Sequence, residues 1–402
     1  MRSKSPSTSA RESRLRSARF SRRHLNPLEK VRGDFAARQK DAADRPVPDA
    51  EGPPTLCTER RGTAMESLEE LERILTEPSD RLVRDVSRLD GDLIILGVGG
   101  KMGPGLAKLA KKAFERAGLK HRVIGVSRFS DQGVREELER SGVETISADL
   151  LEEDQLQALP DAKYVIHMVG RKFGTKGKEH LTWALNAYLP GRVALKYRNA
   201  RIVSFSTGNV YPLVKLAQGG ATEEDPPRPT GEYAQSCLGR ERVFEYFSRK
   251  YGIPMLHFRL NYAIEMRYGV LLEIAQAVRQ RQPIDLRMGQ VNVIWQGDAS
   301  EMAIRSLLHC QSPPKILNVT GPESIPVRWL AREFGRRFKV EPIFENEEED
   351  SALLSNASEA HRLFGYPRVS LRQMIEWTVK WLETGGVIYN KPTHFQEREG
   401  EF

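Results

Sequence analysis

The chain has 402 residues, of which 39% are hydrophobic and 29% are charged, and it carries a formal net charge of +8 at pH 7. A chain of this length buries a large hydrophobic core and is long enough for two domains. Nothing in it approaches the roughly 18 consecutive apolar residues of a membrane helix, and the N-terminus lacks the apolar core of a secretory signal. We therefore expect a cytoplasmic protein with no membrane contact.

The positive charge is concentrated at the N-terminus. Residues 1–64 contain 15 Lys and Arg against 8 Asp and Glu, whereas residues 65–402 contain 47 against 46. The first stretch is rich in Ser, Arg and Pro and shows no hydrophobic periodicity, so we predict a disordered basic extension. An organelle-targeting peptide and an arm that binds nucleic acid or a membrane are the alternatives. For the nearly neutral remainder, no nucleic-acid partner is predicted.

The cysteines Cys57, Cys237 and Cys310 lie far apart in the chain. Their spacing forms neither a metal-binding nor a disulfide pattern. This favours a reducing compartment, and no metal site is predicted.

From residue 91 onward, short apolar runs alternate with helical segments. Helical spacing of leucines at 65–89 first marks one or two helices that lead into this pattern. Strands are predicted at 93–96, 121–126, 142–149, 164–169, 201–206 and 254–259. Helices are predicted between most of them, notably at 104–115, 181–194 and 234–250. The alternation predicts an α/β fold with a doubly wound parallel sheet.

After residue 262 the alternation becomes looser. Helices are predicted at 269–281, 299–308, 327–338 and 370–382, with short strands at 291–295 and 316–319. The chain is therefore predicted to have five parts. These are the extension 1–64, a helical lead-in 65–90, the doubly wound sheet 91–262, a smaller mixed region 263–385 and a polar, peripheral tail 386–402.

A glycine-rich turn, Gly97-x-x-Gly100-x-x-Gly103, follows the first strand directly. Glycines at this spacing let the chain turn tightly, let backbone N–H groups approach a diphosphate, and let the next helix pack close to the strand. The N-terminus of that helix then faces the anion with its partial positive charge. Such turns occur in many α/β folds, so the pattern alone leaves a nucleotide site and a purely structural turn as equal alternatives.

Further motifs follow the glycine turn in a fixed order. They are Asp149-Leu150 after the third strand, Ser206-Thr207-Gly-Asn-Val-Tyr211 after the fifth, Tyr233 opening a long helix, Gln296-Gly-Asp298-Ala299 before a helix, and Leu317-Asn-Val-Thr-Gly321. With these separations, residues 91–385 resemble the extended short-chain dehydrogenase/reductase superfamily, in its NAD(P)-dependent epimerase/dehydratase family. The resemblance implies a Rossmann-type doubly wound parallel sheet with a smaller mixed C-terminal substrate domain.

The resemblance also implies which residues bind the cofactor. Asp149 would contact the adenine ring, and the alternative is a solvated carboxylate at a strand end. Residues after the fourth strand would line the cofactor and are at the same time ordinary buried strand. The implied set is Gly97, Gly100, Lys101, Met102, Gly103, Ser127, Arg128, Asp149, Leu150, Met168, Val169 and Gly170.

The end of the second strand predicts the choice of cofactor. An acidic residue there would bind a ribose 2′-hydroxyl, whereas a basic residue receives a 2′-phosphate. The positions are held by Ser127 and Arg128, and a guanidinium binds phosphate through two parallel donors. Lys101 could reach the same phosphate. NADP is therefore the preferred cofactor and NAD the alternative, in which case Arg128 is an exposed loop charge.

The catalytic group departs from the family pattern. Members use a Ser or Thr after the fifth strand and a Tyr-x-x-x-Lys pair on the next helix, and Thr207 and Tyr233 match the hydroxyls of this set. Position 237, where the lysine is expected, holds Cys237. In the family that lysine binds the nicotinamide ribose and lowers the pKa of the tyrosine, which is otherwise about 10. A phenol that stays protonated can donate a proton but is a poor base, so the change hinders alcohol oxidation more than carbonyl reduction.

Arg240 offers a replacement for the missing charge. Positions 233, 237 and 240 fall on one helical face, because residues i, i+4 and i+7 align at about 3.6 residues per turn. The predicted catalytic set is therefore Thr207, Tyr233 and Arg240. Cys237 is interpreted as a small apolar filler, with a redox role as the alternative. For Thr207 the alternative to a catalytic role is a turn-forming hydroxyl.

Weaker candidates surround this set. Asn186 loosely matches a family asparagine, and Arg259 and Asn261 end the sixth strand, where the sheet opens toward substrate. Four cations after the fourth strand form either a contact for an anionic substrate or a solvated loop: Arg171, Lys172, Lys176 and Lys178. Three aromatic side chains either stack on a base or sugar or pack in the core: Trp183, Trp295 and Tyr262.

The sequence thus favours an NAD(P)-dependent epimerase/dehydratase-like oxidoreductase that acts on a sugar or nucleotide-sugar by hydride transfer. Tyr233 would donate the proton and Thr207 would hold the substrate oxygen. The alternative is a non-catalytic NADP(H)-binding sensor or assembly protein that has lost the catalytic lysine. Dimers are common in the family, so the resemblance leaves a homodimer open.

Overall fold

The computed structural model describes residues 65–401. The predictions for the N-terminal extension, including Cys57, lie outside the described residues.

Seven parallel strands form one sheet at the centre of the fold. In chain order they are β1 Leu93–Leu96, β2 Val123–Ser127, β3 Glu144–Ser147, β4 Tyr164–His167, β5 Arg201–Thr207, β6 Met255–Leu260 and β7 Lys315–Val319. Across the sheet they run β7-β6-β5-β4-β1-β2-β3, and every neighbouring pair is parallel. The strand order reverses between β1 and β4, which opens a crevice at the carboxyl ends of these two strands.

Helices connect the strands and cover both faces of the sheet. In chain order they are α1 Leu68–Leu75, α2 Asp80–Val86, α3 Gly103–Arg116, α4 Gln132–Arg140, α5 Glu153–Ala158, α6 Glu179–Trp183, α7 Leu189–Lys196, α8 Gly231–Tyr251, α9 Val270–Arg279, α10 Gln296–Arg305, α11 Val327–Phe338, α12 Ser358–Phe364 and α13 Leu371–Glu383. One turn of π-helix, Ala184–Tyr188, joins α6 to α7. Short 3₁₀ turns occupy Gly208–Val210, Leu216–Gln218 and Ser306–His309.

The burial of β1 shows why this sheet is covered on both faces. Leu93 and Ile95 pack into the core on one face, and Ile94 and Leu96 pack into the core on the other. Successive side chains of a strand point to opposite faces, so a continuous apolar run marks a strand buried on both sides. The predicted α/β fold with a doubly wound parallel sheet is confirmed.

The predicted lead-in forms α1 and α2, and each begins at a serine N-cap. The side chain of Ser67 accepts a hydrogen bond from Glu70 N, and that of Ser79 accepts one from Leu82 N. Such caps satisfy N–H groups that have no partner inside the helix. Within residues 65–401, none of the helices combines the length and the apolar character needed to cross a bilayer.

The chain after β6 interleaves with the sheet. β7 pairs with β6 and α10 packs on α3, although both elements belong to the stretch 263–385. The boundary predicted at residue 262 therefore separates β6 from β7, which are neighbours in one sheet. The apolar pattern of a strand does not reveal which sheet the strand joins. Many other apolar residues of the stretch form a second core together with α1 and Phe395, where the rings of Trp295 and Trp377 pack edge to face with centroids 5.2 Å apart.

Short two-stranded ladders lie outside the seven-stranded sheet. Two are antiparallel and two are parallel: Val214–Lys215 with Ser351–Ala352, Gln290–Val291 with Ile325–Pro326, Ala263–Ile264 with Ile294–Trp295, and Pro283–Asp285 with Ile343–Glu345.

Candidate functional site

The predicted glycine turn links β1 to α3. Gly97 has a left-handed φ of +90°, and a Cβ there would lie 2.8 Å from the backbone nitrogen of Val169. A Cβ on Gly103 would lie 2.1 Å from the carbonyl oxygen of Val98, so only glycine lets α3 begin this close to the strand. A Cβ on Gly100 would have its nearest neighbour 3.6 Å away. Two glycines are thus needed by the turn itself, whereas the third leaves the backbone open to a ligand.

The helix that follows the turn begins without a side-chain cap. Met102 precedes α3 and makes no capping hydrogen bond, and a proline stands in the first turn. The first N–H groups of a helix have no intrahelical acceptor, and they form the positive end of the helix dipole. These groups suit the diphosphate of a dinucleotide, which needs backbone donors more than side chains at this point.

A cavity of about 450 Å³ lies at the carboxyl ends of the central strands, beside the glycine turn. Among residues 65–401, no Asp or Glu lines it, whereas Lys101 and Lys172 do. The cavity is therefore suited to an anionic ligand. It brings together predicted residues that are far apart in the chain: Gly97, Gly100, Lys101, Met102, Met168, Gly170, Thr207 and Tyr233.

The other predicted cofactor residues do not line this cavity. Gly103 and Val169 lie behind the glycine turn, in the close contacts described above. Arg128 and Asp149 follow β2 and β3 and lie 3.8 Å apart, measured from Nη1 to Oδ2, and the Arg128 side chain is 74% exposed. The same edge of the sheet holds two further predicted residues, Ser127 and Leu150.

Thr207 and Tyr233 meet at the cavity wall. Thr207 ends β5, Tyr233 lies in the first turn of α8, and their side chains share a hydrogen bond. Thr207 also serves the local turn, because its Oγ1 donates to Asn209 Oδ1 at 2.9 Å and accepts from Asn209 N at 3.2 Å. Burial raises the pKa of Tyr233 well above its usual value and Cys237 raises it further, against the opposing charge of Arg240. The phenol therefore stays protonated at neutral pH.

Arg240 lies beneath the cavity and does not line it. Its Nη1 donates to Phe205 O at 2.6 Å, its Nη2 donates to Asn186 Oδ1 at 2.9 Å, and its Nε donates to Asn186 O at 3.3 Å. The side chain is 5% exposed. With its donors directed to β5 and the π-helical turn, Arg240 acts on Tyr233 through its charge alone.

Two ammonium groups lie in the cavity among aromatic rings. Lys101 Nζ is 3.0 Å from the ring centroid of Tyr268 and 5.1 Å from that of Phe173. Burial, together with the charges of Lys391 and Lys172, lowers the pKa of Lys101 to about 7. Burial likewise lowers the pKa of Lys172 to about 8. Lys101 is thus directed to the aromatic wall and not to the Arg128 end of the sheet.

Arg259 is held in a buried ion pair outside the cavity. Its Nη2 lies 2.6 Å from Glu241 Oε2, and its Nη1 donates to the Tyr211 hydroxyl at 2.6 Å. Ser206 donates to the same carboxylate at 2.5 Å. The pair joins β5 and β6 to α8, and so it fixes Thr207 relative to Tyr233.

The remaining candidates divide between the cavity and the core. Asn261 and Tyr262 line the cavity. Trp295 packs in the second core, and Trp183 donates its indole N–H to Glu232 Oε2 at 2.5 Å, away from the cavity lining. Cys237 is 1% exposed and packs among apolar side chains. Of the four cations after β4, Lys176 and Lys178 are exposed and only Lys172 lines the cavity.

The C-terminal segment contributes to the site, although the sequence predicts a peripheral tail. Thr393 lines the cavity, and its N and Oγ1 donate to Glu273 Oε2 at 2.8 and 2.6 Å. Phe395 is 1% exposed in the second core, and its carbonyl accepts from the Tyr262 hydroxyl at 3.4 Å. The sequence gives no signal for Thr393, Phe173 or Tyr268, because residues in separate loops share no periodicity.

Comparisons with known proteins agree with this architecture. The profile of the NAD dependent epimerase/dehydratase family matches residues 93–264. No curated protein matches the chain. Among solved structures, the chain is similar to UDP-glucose 4-epimerase of Thermus thermophilus in complex with NAD, at 18% identity and a TM-score of 0.60, over 73% of this chain and 99% of that one.

Two further similar structures have the same extent. DesIV, a dTDP-glucose 4,6-dehydratase of Streptomyces venezuelae, has 16% identity and a TM-score of 0.61, over 73% of this chain and 97% of that one. UDP-glucuronic acid 4-epimerase of Bacillus cereus has 15% identity and a TM-score of 0.59, over 73% and 98%. At these identities the likeness shows the fold. The profile match adds that residues 93–264 are similar to the NAD dependent epimerase/dehydratase family.

Proposed function

We propose that this protein is a nicotinamide-dinucleotide-dependent oxidoreductase of the epimerase/dehydratase type that acts on a nucleotide-sugar. The observation that carries the proposal is the hydrogen-bonded pair of Thr207 and Tyr233 at the wall of the cavity that the glycine turn also borders. A binding site for a dinucleotide and a proton donor thus share one space.

The glycine turn and the start of α3 fit the cofactor. The open face of Gly100 and the uncapped N–H groups of α3 would hold the diphosphate. Met168 and Gly170 would border the nicotinamide half, because they line the same cavity after β4. The bound dinucleotide supplies hydride transfer to or from a carbon of the substrate.

The two hydroxyl groups have separate roles in this proposal. Tyr233 donates a proton to the oxygen of a carbonyl that is being reduced, which suits a phenol that is protonated at neutral pH. Thr207 holds the same substrate oxygen, since its hydroxyl already shares a hydrogen bond with Tyr233. Carbonyl reduction is therefore the direction that this pair supports best.

The charge of the cavity supports an anionic substrate. Lys101 and Lys172 line it, and no carboxylate does so within residues 65–401. Both ammonium groups have lowered pKa values, so an anion that binds between them would stabilise their protonated forms. The diphosphate of a nucleotide-sugar satisfies this requirement, and the similar solved structures include complexes with UDP-glucose and with UDP-glucuronic acid.

The cofactor is proposed to be NADP in preference to NAD. Arg128 supports this choice, because it directly follows the second strand, where no carboxylate stands, and its side chain is largely exposed. The similar structures named above hold NAD, so NAD is the alternative. A homodimer and a cytoplasmic location also stay predictions, for which light scattering and cell fractionation are the direct measurements.

A second candidate function is a dinucleotide-binding protein without catalysis. It is favoured by Cys237, whose buried, neutral thiol provides no cation beside Tyr233. Such a protein would sense or report the dinucleotide and would not turn over a sugar.

Turnover by the purified full chain separates the two functions. Binding of NADH and NADPH is measured by fluorescence titration, and turnover is measured with UDP-glucose, UDP-glucuronic acid and dTDP-glucose. Tyr233→Phe should bind the dinucleotides normally and lose about 10²- to 10⁴-fold in kcat. Tyr246→Phe is the matched control, because Tyr246 lies on the same helix and is 56% exposed. Equal rates for wild type and Tyr233→Phe would exclude the proposed enzyme, and absent dinucleotide binding would exclude both functions.

A further inference from the structure

We propose that Lys172 supplies, from the loop after β4, the positive charge that a lysine at position 237 would otherwise supply to Tyr233. The inference rests on the proposed function, since it assigns a cation that would favour loss of the Tyr233 proton to the substrate oxygen during the reaction, while the phenol stays protonated at rest. Lys172 makes no covalent bond and transfers no proton in this role; its ammonium stabilises the phenolate.

The position of the ammonium carries the proposal. Lys172 Nζ lies 5.8 Å from the ring centroid of Tyr233, and both residues line the same cavity. The charge of Lys172 also reaches the thiol of Cys237, whose pKa it lowers against the larger effect of burial. Lys172 therefore places a cation near the point where the Tyr-x-x-x-Lys pattern would place one.

A buried hydrogen-bond clamp fixes the loop that carries Lys172. Asn186 Oδ1 accepts from Arg171 N at 2.8 Å, and Asn186 Nδ2 donates to Arg171 O at 3.1 Å and to Ser236 Oγ at 2.9 Å. Ser236 lies three residues after Tyr233 on α8. The loop and the helix are thus joined through one asparagine, so the position of Lys172 relative to Tyr233 is set by buried contacts.

Gly170, which precedes Arg171, also allows the loop to pass close to α8. A Cβ on Gly170 would lie 2.6 Å from Arg240 Nη2 and 3.2 Å from Asn186 Oδ1. A side chain there would push the loop away from α8. Glycine at 170 therefore lets the loop pass close enough for Lys172 to reach the cavity.

Arg240 also lowers the pKa of Tyr233 through its charge, so Lys172 acts in addition to Arg240 and from the cavity side. Arg240 directs its donors to Phe205 and Asn186 and does not line the cavity. Lys101 lies over the ring of Tyr268. The titratable groups that face Lys172 are Tyr233 and Cys237 of α8, Lys101 of the glycine turn and Glu273 of α9.

The first test needs neither substrate nor cofactor. Competitive acetylation of the full chain with acetic anhydride across a pH series, read by mass spectrometry, gives the titration midpoint of each lysine. Lys172 should titrate at about 8. In Cys237→Lys its midpoint should fall by about one pH unit, because a second ammonium would stand beside it, and Cys237→Ser should leave it in place. An unchanged midpoint in a folded Cys237→Lys variant would show that the two positions are not neighbours and would overturn the proposal.

The second test measures turnover and does not depend on that variant. With UDP-glucose as the probe in the direction of alcohol oxidation, Lys172→Ala should lower kcat by about 10²-fold and move the pH profile to higher pH. Lys172→Arg should retain most of the rate, and NADPH affinity should change little in either. Lys176→Ala removes an exposed lysine of the same loop and is the matched control.

The outcomes distinguish this proposal from the proposed function. If Lys172→Ala behaves like Lys176→Ala, the role of Lys172 is refuted while the proposed enzyme stands. Recovery of Lys172→Ala by Cys237→Lys would support the replacement directly, because one charge would then have been moved back to the helix. If wild type turns over no sugar, the proposed function fails, and the acetylation midpoints still decide where the Lys172 ammonium lies.

Discussion

The two ends of the cavity are built on different physical requirements. At the glycine turn the structure depends on atoms that are absent, since a Cβ on Gly103 would lie 2.1 Å from a carbonyl oxygen. At the start of α8 it depends on charges that are present around Tyr233. The space beside Val98 stays open only if the residue at position 103 itself lacks a Cβ. A positive charge beside Tyr233, in contrast, can be supplied by a side chain from another part of the chain. The glycine motif is accordingly complete, and the lysine of the second motif is absent.

The largest effect is expected where an atom is added at the first end. Gly103→Ala should lower the free energy of unfolding by about 3 kcal/mol, the upper range for overpacking, and should abolish dinucleotide binding because α3 would move away from β1. Gly105→Ala is the control two residues on, where a Cβ would lie 3.7 Å from the nearest atom. It should be neutral or stabilise by about 0.5–1 kcal/mol, as expected for Gly to Ala inside a helix. Urea unfolding and NADPH titration measure both variants; equal behaviour would contradict the packing argument.

Local patterns were sufficient to predict much of the fold. β1 at 93–96 and α11 at 327–338 have the predicted limits, because an apolar run ended by glycine and a helical period are properties of neighbouring residues. The helix predicted at 181–194 is interrupted by the π-helical turn around Asn186. The cause is tertiary, since the amide of Asn186 bonds to the loop after β4. For the same reason the pairing of β7 with β6 could not be predicted.

The site was predictable only where a motif encodes it. The contact between Thr207 and Tyr233 follows from two motif positions that the fold brings to one sheet edge. The place of Lys172 within a basic loop could not be deduced, because exposed Lys176 and Lys178 look the same in the sequence. Thr393 reaches the cavity from a segment with no regular structure. Side chains that come from loops depend on tertiary contacts and carry no local signal.

A smaller effect is expected in the pH dependence of the free energy of unfolding, and it comes from Lys101. Lys101 belongs to the glycine turn, yet its side chain lies in the cationic cavity, where its pKa is lowered to about 7. The folded state therefore binds fewer protons at this group than the unfolded state between about pH 7 and pH 10.4. Its contribution opposes folding at and below neutral pH and disappears as the pH rises through this window.

Lys101→Met removes that contribution. The variant should be more stable than wild type by about 1 kcal/mol at pH 6.5, a value reduced for the partial solvation of the ammonium, and the difference should vanish by about pH 10. Thermal melts of both proteins across this range provide the measurement, with Lys120→Met, at an exposed position, as the control. A difference that grows toward alkaline pH would have the wrong sign and would refute the assigned burial of Lys101.

The effect with the smallest consequence for folding is expected at the edge of the sheet that carries Arg128, where a charge acts in solvent. Arg128 is 74% exposed and lies 3.8 Å from Asp149, so this surface pair contributes little stability and leaves the guanidinium able to turn toward a 2′-phosphate. Arg128→Ala should weaken NADPH binding by about tenfold, in the range of a hydrogen bond to a charged group, and should leave NADH binding within about twofold. Arg140→Ala, at an exposed position on α4, is the control. Equal losses of affinity for NADPH and NADH would mean that Arg128 does not bind the 2′-phosphate. The preference for NADP would then have no residue to support it.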